Sequence, residues 1–345
     1  MRALSSSAAI RPALRRMREL QLKPFAWGRF LRIALAAVIA ESMVLNLRYV
    51  TPHLEFGELP AISPSFRQAS GFWILAAIAA LLAMNLLLLG WYAIVRLRFA
   101  MFLAIVDPSL GLRAGWRGCA KQADRLFRVT LLTTLGIVLL LGLLVLVIAT
   151  GVFGVMTLRT PDGKYDTGVF LVLFFPTVGF AAAIVAACVL ARVVLHDFIL
   201  PHMALENATF REAWREVRRR VRADREGFFS YLLLRALFVI VITPVLALLA
   251  FAVLWPVFWM LGASAAGYNA LLEDATGIAA AGRIALNAIL LALGAATGAM
   301  GAAVFGGLFA VFLRAHAIYF YGSRYRALGD LLAESAAETV EAQTA

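Results

Sequence analysis

His196, Asp197, His202 and Glu206 lie within one eleven-residue stretch. These residue types can bind zinc or move protons. A metal site needs its ligands at a recognisable spacing, and no HxxxH or HExxH pair is present, while Pro201 interrupts the segment. Helix capping and hydrogen bonding at a membrane interface are the expected use, with no metal and no cofactor. A second set is Glu41, Asn85, Arg235 and Asn287, each a polar side chain inside a long apolar run. Such residues are costly in hydrocarbon and serve either a transport path or helix pairing. At about 1.5 Å per residue, Glu41 stands about 21 Å from the start of its run and Arg235 about 10 Å from its own, so a direct pair needs tilt or a snorkelling arginine. Ser-His-Asp arrangements, phosphate-cradling loops and nucleic-acid motifs are absent from the sequence.

The elements that must position these residues follow from composition. The 345 residues are 63% hydrophobic with a mean hydropathy of +0.87, against about 45–50% apolar in soluble domains. Short segments of alternating polarity, the mark of a barrel, are not seen. The expected fold is all-α, a polytopic membrane helical bundle of six transmembrane helices, at about 26–47, 71–95, 129–157, 168–196, 228–261 and 284–313. Amphipathic cytoplasmic interfacial helices complete it. Residues 1–25 form a basic cytoplasmic arm, 26–322 the six-span domain, and 323–345 an acidic, Ala-rich tail expected to be disordered. In the arm, Ile10, Leu14, Met17 and Leu20 recur at helical spacing and predict a short helix on an anionic membrane surface. A transit peptide is the look-alike. The first span is the weakest, broken by Arg32 and Glu41, and Val38-Ile39-Ala40 could pass for a signal-peptidase site behind a very long n-region. Residues 262–283 read as a Gly/Ala-rich loop.

The net charge of +12 is read as loops retained on the cytoplasmic side rather than as a nucleic-acid surface. With both termini inside, 26 Lys and Arg fall on inside segments and 5 outside. Arginine outnumbers lysine 29 to 3, which suits a GC-rich bacterial genome and hence a bacterial inner membrane. Single cysteines placed at Ser65 and Asp162 are expected to label from outside. The two native cysteines, Cys119 and Cys188, offer no disulfide framework.

Two cytoplasmic segments resemble each other: Arg113-Ala-Gly-Trp116-Arg117 and Arg211-Glu-Ala-Trp214-Arg215, with an echo at Ala26-Trp27-Gly28-Arg29. They suggest helix hairpins repeated in one orientation. Phe210, Trp214, Val217 and Val221 fall on one helical face, and Arg211, Arg215, Arg218, Arg219 and Arg222 take much of the rest. Asn207 or Thr209 could cap this helix, and Thr209 with Glu212 forms a capping box. The expected partners are anionic headgroups, with Trp116, Phe210 and Trp214 in the acyl boundary and Arg117 and the other arginines on phosphate. An acidic protein partner is the alternative. Gly294, Gly298, Ala302 and Gly306 recur every four residues and predict a close helix-packing seam, with a homo-oligomer seam as the lesser use.

Leu200-Pro201-His202-Met203-Ala204-Leu205-Glu206, then Ala213-Trp214-Arg215, then the aromatic Phe228 resemble a superfamily of bacterial multi-span proteins. It is named after the membrane domain found ahead of some glycerophosphoryl diester phosphodiesterases. The resemblance implies a six-helix membrane domain of unknown role. The phosphodiesterase would be a separate soluble domain, and its activity does not transfer. The expected function is therefore a non-enzymatic scaffold or accessory component with a basic cytoplasmic face. A small-solute transporter lined by Glu41, Asn85 or Asn287 is the first rival. A lipid-modifying enzyme using His196, Asp197, His202 and Glu206 is the second.

Overall fold

In lipid every backbone N–H and C=O must be paired within its own segment, so apolar runs of this length fold as helices. The computed structural model describes residues 3–23, 25–41, 70–157, 167–272 and 278–344, and among them all regular structure is helical. The helices are α1 (Ile10–Gln21), α2 (Trp27–Ala40), α3 (Ser70–Val106), α4 (Leu112–Gly118), α5 (Ala120–Thr157) and α6 (Thr167–Val193). They continue with α7 (Leu200–Leu205), α8 (Phe210–Ala223), α9 (Arg225–Leu271), α10 (Ile278–Gly301), α11 (Gly307–Gly322) and α12 (Arg326–Thr344). Two π-helical stretches, Val194–Ile199 and Ala302–Gly306, lead into α7 and α11.

Among the described residues, five helical segments are long and apolar enough to cross a membrane: Trp73–Val106, Ala120–Leu146, Phe175–Leu205, Arg225–Leu271 and Ala281–Gly322. They correspond to the last five predicted runs. The first predicted run differs. Its helix, α2, has 14 residues, about 21 Å of rise, short of a hydrocarbon core of about 30 Å. Residues 42–47 lie outside the described residues, as do the turn positions Ser65 and Asp162.

The chain forms two compact units, residues 1–120 with 220–345, and residues 121–219. The first is built on α11, of which only Leu308 and Tyr319 are not fully buried. Helices α1, α2 and α12 pack on it. The helix α2 runs parallel to α11: Phe30 and Ala34 lie on Ala303, Gly307 meets Ala34, and Ala37, Ala40 and Glu41 meet Ala310 and Arg314. The helix α1 runs the other way, with Leu4 bonded to Ser323 and Gln21 to Gly307. Helices α1 and α2 are thus a hairpin laid along α11. Glu41 ends level with Arg314, where the sequence placed it well up a span.

Three more expectations change. The buried stripe of α1 is Ala9, Ala13, Arg16 and Leu20, while Leu14 is exposed. Small residues let α1 approach α11, and Arg16 is buried because it satisfies carbonyls at the end of α3. The acidic tail is helical rather than disordered: Leu328 and Leu332 cover Gly322, and the Ala/Leu/Glu composition favours helix. Likewise α9 continues to Leu271, so residues 262–271 are helix, tied to α10 by the reciprocal amide pair Asn269–Asn287.

In the second unit, Leu132, Leu139 and Val145 on α5 and Phe175 and Val185 on α6 are exposed apolar side chains. Asn207 takes a positive φ of 53° in the turn before α8, a conformation Asn tolerates. The capping box is formed: the Thr209 N–H donates to Glu212 Oε2 at 2.7 Å and the Glu212 N–H to Thr209 Oγ1 at 3.4 Å. The Thr209 N–H foremost, then the Thr209 hydroxyl donating to the same Oε2 at 2.8 Å, hold the Glu212 carboxyl below the usual carboxylate range.

Candidate functional site

The polar residues singled out within apolar runs do not share one place. Asn85 is exposed and donates back to the Leu81 carbonyl of its own helix at 2.8 Å. Asn287 pairs with Asn269 at 2.9 Å. Glu41 and Arg235 do converge: Arg235 Nη2 lies 3.7 Å from Glu41 Oε2, and its Nη1 donates to the Tyr231 hydroxyl at 3.0 Å. The pair forms because α2 brings Glu41 down to the level of Arg235.

Two further arginines join them. Arg98 on α3 donates from Nε to the Ala40 carbonyl at 2.6 Å, at the C-terminus of α2 where that carbonyl has no helical partner. Arg98 and Arg314 line one small cleft with Glu41, closed by Ala37, Ala40, Met101 and Ala310. Arg98, Arg235 and Arg314 are 8%, 9% and 4% exposed. Three guanidiniums from α3, α9 and α11 are therefore buried around one carboxylate from the end of α2. The sequence assigned Arg98 and Arg314 to cytoplasmic loops by counting charges. The signal that could have separated them is local: each stands alone among apolar neighbours, Leu97 and Phe99 for one and Leu313 and Ala315 for the other.

Helix α8 presents the second candidate surface. Its buried stripe is Ala213 and Val217, while Trp214 is 44% exposed and stacks on Phe210 at 6.4 Å between centroids. Arg211, Arg215, Arg218, Arg219 and Arg222 are exposed. Arg219 pairs with Glu216 at 2.7 Å. Arg220 turns the other way, stacking on Tyr325 and donating to the Arg324 carbonyl. The related Trp116 is engaged from inside its own unit: Arg96 lies over its ring at 5.0 Å and bonds its carbonyl at 2.8 Å, while Arg117 is exposed. What the two motifs share is the small residue before the Trp. Gly115 and Ala213 are both buried, and a Cβ on Gly115 would stand 2.9 Å from Ala100 Cα.

His196, Asp197 and His202 are buried, and His202 Nδ1 lies 3.2 Å from Glu206 Oε2. No group of three or more His, Cys, Asp or Glu among the described residues could hold a metal ion. Cys119 and Cys188 are free thiols, and burial pushes the Cys119 thiol up from its ordinary value.

A polar latch closes the N-terminus of α9. Asp224 caps it, accepting from the Gly227 N–H at 3.0 Å, and pairs with Arg324 at 2.6 Å. Arg324 also donates to the Leu4 carbonyl at 2.9 Å and lies over Phe320. The Arg324 bond, then the Gly227 N–H, hold the Asp224 carboxyl below the usual range. A depressed folded-state pKa gives stability that is complete above the unfolded value, about pH 4, and lost as pH falls through the folded value. Thermal unfolding in detergent between neutral and acid pH checks this. Asp224→Asn is expected to melt below wild type at pH 7, and the gap is expected to close with acidification.

In comparison with protein families, the chain matches the model of a family of unknown function, DUF7544, over residues 4–331. No curated protein and no solved structure matches the chain. Nothing in the comparisons links it to the glycerophosphoryl diester phosphodiesterase membrane domains.

Proposed function

The chain belongs to the DUF7544 family of unknown function, and we propose that it is a non-enzymatic, multi-pass inner-membrane scaffold or accessory component whose basic cytoplasmic face holds anionic lipid. The observation that carries this reading is α8. Its Ala213/Val217 stripe is buried, and the side left open joins the Phe210–Trp214 pair to five exposed arginines. Aromatic rings at the acyl boundary and guanidiniums on phosphate are what an interfacial helix needs. Arg117 on α4 adds to the same kind of surface.

Threading supports the same orientation. Leu4 is tied to Ser323 and Arg324, so the two ends of the chain share a side, and an even number of crossings is needed. Five helical segments among the described residues are suited to cross. On this reading a sixth passage is required. The positive-inside count then sets both ends in the cytoplasm. A cysteine at Ser264, near the far end of α9, is expected to react with an impermeant maleimide in intact cells, and one at Arg222 only after permeabilisation. The reverse pattern would invert the threading.

Lipid contact is tested in nanodiscs containing phosphatidylglycerol brominated near the headgroup end of its acyl chains. Quenching of wild-type tryptophan fluorescence is expected to exceed that of Trp214→Phe. Replacing Arg211, Arg215, Arg218, Arg219 and Arg222 with Gln is expected to remove the difference. Equal quenching in wild type and Trp214→Phe would hand this face to a protein partner.

A further inference from the structure

We propose that the outward face of α1 is a binding groove for an anionic phospholipid whose headgroup carries two phosphates, as in diphosphatidylglycerol. The groove is open, has a volume of about 540 Å³ and is lined by Arg11, Leu14, Arg15, Arg18, Glu19 and Lys23. Arg11, Arg15, Arg18 and Lys23 are exposed. Glu19, the carboxylate of the groove, is already engaged: it accepts from Arg15 at 2.8 Å and lies 3.6 Å from the buried Arg16. Among the described residues, the side chains of Arg11, Arg18 and Lys23 have no hydrogen-bond or carboxylate partner. Arginine and lysine are protonated at neutral pH, so these three charges are left to the occupant of the groove. One phosphate would match only part of that charge, and two match it more closely. Arg11 and Arg18 stand two turns apart, about 10 Å along the helix axis, and so reach different phosphates of one headgroup.

Two observations separate this groove from an ordinary solvated face. The first is that α1 is held in place. Ser6 bonds Ser230 at 2.7 Å, Leu4 bonds Ser323, and Arg16 ties α1 to the end of α3. The cations are therefore displayed on a fixed helix, and little ordering opposes binding. The second is the apolar part of the surface. Leu14 is exposed within the groove, and Leu22, Phe25 and Trp27 are exposed at its Lys23 end. That end lies where Gln21 bonds Gly307, next to α10, whose Leu293 and Met300 are exposed and apolar. Aromatic rings beside the start of an apolar helical surface mark headgroup depth, where lysine and arginine meet lipid phosphate. A soluble bisphosphate would use the cations and leave Leu14, Leu22 and the rings in water, so the surface favours lipid. The sequence set Leu14 on one face with Ile10, Met17 and Leu20, whereas α1 buries Ala9, Ala13, Arg16 and Leu20 and turns Leu14 outward to meet an acyl chain. No residue of the groove belongs to α8, so the two lipid readings stand or fall separately.

The test uses the full chain, purified and delipidated in detergent. Diphosphatidylglycerol and phosphatidylglycerol in mixed micelles, and inorganic pyrophosphate in solution, are titrated in parallel. Thermal unfolding follows binding, and native mass spectrometry counts the lipid retained. Diphosphatidylglycerol is expected to raise the melting temperature at a concentration several-fold below that of phosphatidylglycerol at equal phosphate. Each cation at a lipid surface contributes about fivefold in affinity. Arg18→Gln is therefore expected to weaken diphosphatidylglycerol about fivefold, and the triple variant Arg11→Gln, Arg18→Gln, Lys23→Gln on the order of a hundredfold. These side chains are exposed, so both variants are expected to melt like wild type without lipid, and the single variant decides if the triple does not fold. Leu14→Ser is expected to weaken diphosphatidylglycerol and to leave pyrophosphate unchanged. Replacing Arg211, Arg215, Arg218, Arg219 and Arg222 with Gln is expected to leave the tight lipid in place, which separates this groove from α8. Failure of wild type to retain diphosphatidylglycerol overturns the proposal, as does undiminished binding in the folded triple variant. Equal half-saturation by the two lipids would reduce the groove to a general basic face, and tighter binding of pyrophosphate would make it a site for soluble anions; either result also overturns it.

Discussion

Gly307→Ala is expected to destabilise the chain by about 1–3 kcal/mol, whereas Gly298→Ala, on the stripe that the sequence presents, is expected to be neutral or slightly stabilising. A Cβ on Gly307 would stand 2.5 Å from Ala34 Cβ and 2.8 Å from Ala34 Cα. The obstacle includes backbone, so α2 would have to move. A Cβ on Gly298 would meet only Phe258 Cζ at 3.7 Å, an ordinary contact. Removing a helical glycine then gains up to about 1 kcal/mol of propensity. Gly306→Ala falls between them, its Cβ meeting Val38 Cγ2 at 3.3 Å. Ala34→Gly is expected to rescue Gly307→Ala in part, because it removes the side chain that clashes. Melting temperatures of the three single variants and the double variant check the order. A Gly307→Ala variant as stable as wild type would show that α2 is not seated on α11 at this point.

That prediction also marks where sequence reasoning was sufficient. A four-residue repeat of small residues from Gly294 to Gly306 reads as a surface that another helix could approach. The register cannot be read from it, because the π-helical stretch Ala302–Gly306 adds backbone within the repeat and the closest approach passes to Gly307. The last five apolar runs are legible because uninterrupted hydrophobicity needs nothing beyond local composition. The α1–α2 hairpin is not legible in the same way. Its direction depends on which neighbour Ala34 and Arg16 find, and that is tertiary information. The candidate site divides along the same line. The arginines of α8 declare themselves by spacing, and the capping box at Thr209 and Glu212 is local chemistry. Glu41 with Arg235 was visible as a set of costly residues, but Arg98 and Arg314 were hidden by the charge count, which treats every arginine near the end of a run as a loop residue.

Arg16→Met is expected to cost about 3–5 kcal/mol, the range for breaking a buried, hydrogen-bonded charge group. Arg16 is 2% exposed. Its Nε donates to the Ile105 carbonyl and its Nη2 to the Val106 carbonyl, both at 2.7 Å, and Nη2 lies 3.3 Å from Ser335 Oγ. Ile105 and Val106 end α3, so these carbonyls lack helical partners and carry the negative end of the helix dipole. One guanidinium thereby joins α1, α3 and α12. Methionine keeps the apolar stem and leaves two buried acceptors unsatisfied, each costing about 1–3 kcal/mol. Arg16→Lys retains the charge but loses the fork that reaches two carbonyls at once, so it is expected to fall between wild type and Met. The effect should be regional as well as global. Limited proteolysis of the Met variant is expected to cut within residues 3–23 and 323–335 before any site in α9, because both ends of the chain depend on the same side chain. If its melting temperature matches wild type and those ends stay protected, Arg16 does not join the three helices as described.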